Sequence, residues 1–307
     1  MKLAHPQRNL AKAMQDGAFL CSIQIDPPRS ADMQKLIRVV TRLKRAGTRI
    51  VDINSSRINA TGRPSHDSIY LAGALAARGL ETIPHITMRD SSLSGILNGV
   101  LAAYAWHGVR NILLITGDPH EKAQQIVPRR GIFQSDVIDA IGIIHRELRA
   151  KEPFNTDLAI GVALNQNTDL RTETPRLRRK ISVGADFVMS QPVFDESQLD
   201  RLLTIYHRHC HPAKPIMVGI WPLVSQKTIA QIYHEEFDGV VLPKSAMVET
   251  RSFGEDEKTL ASWGLHRAEA LIRRAKTKGA GGVYLVAPFK NPLLVLPLLR
   301  SLSDILT

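Results

Sequence analysis

Short apolar runs alternate with longer amphipathic stretches along almost the whole chain. Most of the apolar runs are continuous rather than alternating, which is typical of strands buried on both faces of a parallel sheet. The pattern predicts eight strands, at residues 18–25, 49–54, 82–88, 111–116, 157–164, 187–190, 216–221 and 282–287.

The amphipathic stretches between these runs predict helices, and several carry helix-end signals. Gly47 and Gly79 follow two of them, as expected at helix C-termini, and Ser65 and Ser225 are plausible N-caps. The predicted helices cover residues 31–46, 66–78, 91–107, 135–150, 172–183, 196–209, 226–236, 259–278 and 292–306.

Repeated strand–helix units without a linker predict the α/β class and a closed (β/α)8 TIM barrel. We expect one catalytic barrel domain at residues 18–307, preceded by an N-terminal extension or helix at residues 1–17. An open doubly wound sheet is the alternative, but the first turn, residues 25–28, lacks the glycine-rich dinucleotide motif. A further apolar piece at residues 238–243 leaves the strand count open by one.

Composition places the chain among ordinary globular proteins, with 44% hydrophobic and 22% charged residues in a length of 307. No apolar run approaches the roughly 20 residues that span a bilayer, and the N-terminus lacks a signal-peptide core. We therefore expect a cytoplasmic protein without membrane association. The histidine-rich segment at residues 207–211 lacks paired-ligand spacing, so we expect no metal site.

The net charge of +11 raises the question of nucleic-acid binding. The basic residues are scattered over several predicted helices, however, and the aromatic residues, 5% of the chain, do not interleave with them as stacking platforms would. Solvated helix faces and attraction for a small polyanionic ligand explain the charge better. We expect no nucleic-acid partner.

Polar residues stand where most of the predicted strands end. Taken singly they have structural explanations: Asp26 and Asp118 each precede proline and could be turn residues, and His85 could be a satisfied core histidine. Taken together they predict a pocket, because strand ends converge in a barrel and buried polar groups without partners are costly. The set comprises Gln24, Asp26, Asn54, Ser55, His85, Thr116, Gly117, Asp118, Asn165 and Gln191.

Two further features indicate a large anionic ligand. The loop at residues 119–134 is long and carries Arg129 and Arg130, and long loops are usual where a ligand must be wrapped. Lys180 is placed about two turns into its predicted helix, so it reaches a phosphate only if that helix leans over the pocket.

At these positions the chain resembles the methylenetetrahydrofolate reductase family. It is closest to the branch whose fourth strand ends in Thr-Gly-Asp-Pro and whose sixth strand reads Gly-Ala-Asp-Phe-x-x-x-Gln-Pro-Val-Phe-Asp. The matching stretches are residues 25–28, 84–85, 114–119, 161–165 and 180–195, and the register runs from about residue 18 to residue 300.

The resemblance implies a barrel that holds FAD at the carboxyl ends of its strands. NAD(P)H would reduce the flavin, and 5,10-methylenetetrahydrofolate would then accept hydride to give 5-methyltetrahydrofolate. His85, Thr116, Gly117, Asn165 and Lys180 would line the FAD, Asp118 would lie near the flavin pyrimidine edge and the pterin, and Gln191 would bind the pterin. Asn54 and Ser55 are assigned to the cofactor site with them.

Two departures from the family pattern bear on function. Gln24 stands where the family has a glutamate credited with protonating the folate, and an amide is not a general acid. Asp26 or water could supply that proton. Thr116 replaces an arginine and Asn165 a tyrosine of the best-known members, so the flavin contacts must differ in detail.

Three hypotheses follow from the sequence. The first is an active reductase; the second is a family member whose folate half-reaction is impaired by Gln24. The third is a non-redox folate- or nucleotide-binding partner of a methyl-transfer system. We also expect a homo-oligomer, and a partner methyltransferase is conceivable because some relatives carry that domain fused.

Overall fold

The protein folds as a closed barrel of eight parallel strands arranged in sequence order. The computed structural model describes residues 6–55, 65–117, 135–234, 237, 239–287 and 292–306. The strands are β1 Leu20–Ile25, β2 Ile50–Ile53, β3 Glu81–Thr87, β4 Asn111–Ile115, β5 Ala159–Leu164, β6 Phe187–Val193, β7 Ile216–Ile220 and β8 Gly282–Val286. The pairing of β8 with β1 closes the barrel and confirms the predicted (β/α)8 class.

Helices follow the strands and surround the barrel. They are α1 Leu10–Gln15, α2 Gln34–Arg45, α3 Ser68–Ala76, α4 Leu93–His107, α5 Val137–Ile144, α6 Leu170–Ser182, α7 Glu196–His209, α8 Gln226–Tyr233, α9 Lys244–Arg251, α10 Glu257–Thr277 and α11 Leu296–Ser301. A π-helical turn at His145–Arg149 continues α5, and a 3-10 turn at Pro292–Val295 precedes α11. Within the described ranges, no helix has the length and apolar character needed to cross a membrane.

Strand alternation separates two apolar layers. Ile83 of β3 points into the barrel, where it packs with Leu113 and Phe187 of other strands. Ile86, three residues further along β3, packs on the outer face, in the layer between strands and helices, together with Ile112 of β4. Because strand side chains alternate between faces, every second position is available to the barrel interior, and at its upper end those positions carry the polar residues.

The N-terminal segment closes the lower end of the barrel. Leu10 and Met14 of α1 are buried in the interior cluster. The Asn111 side chain accepts a hydrogen bond from the Leu10 backbone N–H at 2.8 Å and donates to the Arg8 carbonyl at 2.9 Å. These bonds satisfy a fully buried amide and fix α1 across the opening, so the cavity described below opens at the opposite, carboxyl end.

Three local predictions need correction. β6 extends to Val193 instead of ending at Ser190. Its pairing with β7 shifts register between Met189 and Pro192, which marks a bulge, and the pairing then resumes at Pro192 and Val193. The apolar piece near residue 240 forms no strand at its described residues, 239–243, and leads into α9, a helix that the sequence did not predict.

The predicted helix caps have mixed outcomes. α3 is capped by Asp67, whose carboxylate accepts from the Tyr70 N–H, so Ser65 is not the cap. Ser225 does occupy the N-cap position of α8, but its side chain makes no capping hydrogen bond.

Candidate functional site

A cavity of about 370 Å³ opens at the carboxyl ends of the strands. Its volume lies at the lower end of the range for small-molecule sites, which begins at about 300 Å³. Nine of the eleven residues predicted for the site line it: Gln24, Asn54, Ser55, His85, Thr116, Gly117, Asn165, Lys180 and Gln191. Asp118 lies outside the described residues, as do Arg129 and Arg130.

Asp26 does not line the cavity. β1 ends at Ile25, and the following Asp26 carboxylate accepts a hydrogen bond from Asn54 Nδ2 at 3.1 Å. The Asn54 Oδ1 in turn accepts from the Ser55 backbone N–H at 3.0 Å. Asp26 therefore orients a side chain of the cavity wall, and its predicted catalytic role stays a prediction.

A buried carboxylate and imidazole lie together under the cavity. Asp52 of β2 is 0% exposed, and its Oδ1 accepts a hydrogen bond from Ser22 Oγ at 2.6 Å. Its Oδ2 lies 3.5 Å from Nε2 of His85, which is 6% exposed and lines the cavity from β3. Asp52 is also the register partner of Gln24 on the neighbouring strand. The sequence analysis did not single out Asp52, although alternation places it on the interior face.

Two side chains, Gln166 and Tyr284, hold the backbone of β6 at its bulge. Gln166 donates from Nε2 to the Gln191 carbonyl at 2.9 Å and accepts from the Gln191 N–H at 3.0 Å. Tyr284 of β8 donates its hydroxyl proton to the Ser190 carbonyl at 2.6 Å. Because the Gln191 backbone is bonded on both sides, its side chain is held at the cavity wall.

Lys180 lies in the last turn of α6, is 7% exposed and lines the cavity, and its predicted contact with a phosphate stays a prediction. Its Nζ donates to the Ala163 carbonyl at 2.8 Å and lies 3.8 Å from Oε1 of Glu173, which is 5% exposed. Burial lowers the Lys180 pKa, and the Glu173 carboxylate opposes that shift.

Glu173 also accepts from the Asn165 backbone N–H at 3.2 Å and lies 4.0 Å from Arg176 Nη1. The sequence analysis missed Glu173 as a cavity residue. The seven-residue spacing to Lys180, which places both on one helix face, was the available signal.

The turn after β4 brings backbone close to the loop after β3. Gly117 has a φ of +85°, and a Cβ there would lie 3.0 Å from the Cβ atoms of both Thr87 and Arg89. Glycine is therefore required on conformational and on steric grounds. Arg89, 2% exposed, donates from Nε to the Asp90 carboxylate at 3.0 Å and lines the cavity, a role that the sequence analysis missed.

Aromatic rings form one wall of the cavity. Trp221, directly after β7, and Phe237 contact each other edge to face with ring centroids 5.1 Å apart. Gly239, with a φ of +75°, packs so closely that a Cβ would meet the amides of Asn165 and Gln191. Phe237 and Gly239 come from the segment after α8, where the strand pattern gave no sign of a cavity wall.

The arrangement suits an organic ligand with polar edges. Within the described ranges, no cluster of three or more His, Cys, Asp or Glu side chains could hold a metal ion. Amides, a buried cation–carboxylate pair and an imidazole surround a partly apolar, partly aromatic cavity. Fold and site together define a TIM-barrel protein with a ligand-sized cavity at the carboxyl ends of its strands.

The family follows from comparison with known proteins. The family model described as "Methylenetetrahydrofolate reductase" matches residues 9–294, and this chain belongs to that family. The match covers nearly the whole chain, which confirms the resemblance seen in the sequence.

Curated relatives are distant in sequence and considerably longer. Methylenetetrahydrofolate reductase 2 of Saccharomyces cerevisiae is 26% identical over 78% of this chain and 40% of its own length. Methylenetetrahydrofolate reductase 2 of Schizosaccharomyces pombe is 21% identical over 90% of this chain and 44% of its own. The Zea mays enzyme, methylenetetrahydrofolate reductase (NADH) 1, is 20% identical over 90% and 47%. This chain thus spans less than half of each.

Solved structures show the same fold. A protein from Clostridium thermocellum, described as binding two copies of 5-methyl-5,6,7,8-tetrahydrofolic acid, superposes with a TM-score of 0.65 and 15% identity, over 97% of this chain and all of that one. A 2,3-dimethylmalate lyase superposes with a TM-score of 0.55 and 11% identity, over 97% and 84%. At these identities the likeness shows the fold alone.

Proposed function

We propose that this chain is a flavin-dependent reductase that converts 5,10-methylenetetrahydrofolate to 5-methyltetrahydrofolate with NAD(P)H. The observation that carries the proposal is the convergence of nine of the predicted site residues on one cavity in a chain of this family. The Clostridium thermocellum neighbour, described as binding a methylated folate, supports a folate ligand at this fold.

The residues present fit FAD. Gly117 leaves its backbone uncovered by a side chain beside the cavity, and Lys180 with Arg176 offers positive charge for phosphate. The cavity of about 370 Å³ would hold only part of a dinucleotide. When bound, FAD supplies the hydride acceptor and donor that links the nicotinamide to the folate.

The protein's own part is positioning and the exclusion of water. The amides of Gln191 and Asn165 can each donate to and accept from the polar edges of a pterin or a flavin. Trp221 and Phe237 cover one side of the cavity with apolar surface. Asp118, whose strand-end position comes from the sequence, is proposed to lie near the flavin pyrimidine edge and lower its reduction potential.

A visible spectrum tests the proposal. The purified protein should be yellow, should bleach on anaerobic addition of NADH or NADPH, and should regain its colour when methylenetetrahydrofolate is added. Lys180→Met should weaken flavin retention, while Arg171→Met, which removes a 91% exposed cation from the same helix, should not. A colourless protein that does not take up FAD would exclude the reductase.

A second candidate is a folate-binding family member that is slow in the folate step. It is favoured by the amide of Gln24 in the cavity wall, where an acid would be needed. In that case the nicotinamide would still bleach the flavin, and folate would bind without restoring the colour. If Gln24→Glu produced no gain in the rate of recolouring, this candidate would lose its basis.

The assembly state is part of the same proposal. We expect a homo-oligomer, with a methyltransferase as a separate partner for the methylated product. Light scattering coupled to size-exclusion chromatography measures the first, and co-elution with a candidate methyltransferase measures the second. A strictly monomeric protein at micromolar concentration would refute the first expectation.

A further inference from the structure

Two unpartnered polar atoms face each other beneath the cavity. Across the described ranges, Asp52 Oδ2 and His85 Nε2 are among the few buried side-chain atoms without a hydrogen-bond partner. They lie 3.5 Å apart, just beyond hydrogen-bond length, so a small rotation of the imidazole would bond them. A buried polar atom left without a partner is costly, so the retention of both atoms beside a cavity needs an explanation.

Two other groups of the described cavity wall that could release a proton, Lys180 and Tyr284, already donate hydrogen bonds to backbone carbonyls. Glu173 accepts from the Asn165 N–H and faces Lys180, whose Nζ donates to a carbonyl. The Tyr284 hydroxyl donates to the Ser190 carbonyl, and burial raises the pKa of that phenol. Gln24, the residue closest to Asp52 across the strand pair, is an amide. Histidine is the side chain suited to exchanging protons near neutral pH.

We propose that His85 is the proton donor of this site and that Asp52 is the residue that positions it. This inference rests on the proposed reductase function. Once a small rotation bonds Nε2–H to the Asp52 carboxylate, which the Ser22 hydroxyl already fixes, Nδ1 is the ring nitrogen that remains for a ligand. A carboxylate paired with an imidazole fixes its tautomer and stabilises the imidazolium, as in hydrolase triads.

The proposed step is a proton transfer from His85 to the folate. The imidazolium of His85 gives its Nδ1 proton to the bridging N10 of methylenetetrahydrofolate. The bond between the methylene carbon and N10 breaks with its electron pair going to N10, while the N5 lone pair forms the carbon–nitrogen double bond of the iminium. His85 is left neutral with its remaining proton on Nε2 toward Asp52, and solvent reprotonates Nδ1 after turnover.

Other polar and ionisable groups surround the pair. From β1, Cys21 has its pKa raised to about 12, mainly by burial and in part by the Asp52 charge. From β8, the pKa of Tyr284 is raised by burial and by the same charge. Both groups therefore stay protonated near neutral pH. Arg89 lines the same cavity from the loop after β3, and the Ser68 hydroxyl of α3 donates to the His85 carbonyl.

Nitrogen-15 NMR of histidine-labelled protein tests the pair without any turnover. We expect the His85 ring to show the Nε2–H tautomer when neutral and to lose that preference in Asp52→Asn. Asp186→Asn is the matched control, because it removes a half-buried carboxylate paired with Arg149 elsewhere in the barrel and should leave the His85 signals unchanged. An unchanged His85 tautomer in Asp52→Asn would overturn the positioning role.

Half-reaction kinetics then separate the acid role from the proposed function. In Asp52→Asn and His85→Asn, bleaching of the flavin by NAD(P)H should fall much less than recolouring by methylenetetrahydrofolate. Recolouring should fall by roughly 10²–10⁴-fold. Equal loss in both half-reactions, or folate turnover that survives in His85→Asn, would refute the donor role. Failure of the parent protein to take up FAD would refute the reductase function instead, and the NMR result would still stand.

Discussion

Removing the charge of Lys180 should show how much the buried ion pair between Lys180 and Glu173 contributes to the free energy of unfolding. Lys180 Nζ lies 3.8 Å from Glu173 Oε1, and both residues are buried. At an effective dielectric constant of about 20, that separation corresponds to about 4 kcal/mol of attraction. Taking one partner from a buried pair typically costs 3–5 kcal/mol, because the other charge is left uncompensated.

We expect Lys180→Met, which keeps the side-chain volume, to lower the free energy of unfolding by about 3 kcal/mol. The value falls at the lower end because Arg176, half exposed and 4.0 Å from Oε2, still compensates part of the Glu173 charge. Glu173→Gln should cost about 2 kcal/mol, since Lys180 keeps its bond to the Ala163 carbonyl. The double variant should also cost only about 2 kcal/mol, because no charge is then stranded.

Urea unfolding followed by tryptophan fluorescence measures these differences, and a loss of 3 kcal/mol corresponds to a drop in Tm of roughly 5 °C in a chain of this length. Arg171→Met, on the same helix, should stay within about 0.5 kcal/mol. If Lys180→Met cost less than 1 kcal/mol, or if the two single changes simply added in the double variant, the buried pair would not carry the stability assigned to it.

pH provides a check on the sign of the Lys180 contribution. Burial lowers the folded-state pKa of Lys180, so between that pKa and its ordinary value the unfolded chain binds more protons than the folded protein. This group therefore makes stability rise with pH across that window. Glu173→Gln removes the carboxylate charge that raises the Lys180 pKa, so the folded-state pKa falls further and the pH window widens. The loss of unfolding free energy caused by Glu173→Gln should therefore shrink as the pH rises from 7 to 9. A loss of unfolding free energy in Glu173→Gln that grows over this pH range would contradict the lowered pKa of Lys180.

Three further changes test other parts of the structure. Tyr284→Phe leaves the buried Ser190 carbonyl without its donor and should lower the free energy of unfolding by about 1–3 kcal/mol in urea titrations; a neutral result would mean that another donor replaces it. Gly161→Ala places a Cβ 2.3 Å from the Phe187 ring inside the barrel and should cost about 1–3 kcal/mol, and an unchanged melting temperature would mean that the interior is not close-packed there. Gln24→Glu adds a carboxylate beside Asp52, its partner across the strands, and should not raise the rate of flavin recolouring by folate in stopped-flow measurements, because His85 is proposed to supply the proton; a large gain would favour the impaired family member instead.

Strand count, strand order and most of the site could be predicted from the sequence alone. Continuous apolar runs such as residues 111–115 indicate strands covered on both faces, and a polar residue directly after such a run lies at the barrel opening whatever the detailed packing. That rule placed Asn165 and Gln191 in one cavity, and strand alternation added His85 from within β3. It worked because closure of a parallel barrel brings all carboxyl strand ends together.

The pairing of side chains across strands was decided by tertiary structure. Asp52 and Ser22 lie within apolar runs, and only the register of β2 against β1 and β3 brings them under His85. The bulge in β6 depends on the shift against β7, which no local pattern signals. The sequence fixes which residues face the barrel interior because alternation is a local property. Which of them meet is a matter of register and closure, and these are properties of the whole sheet.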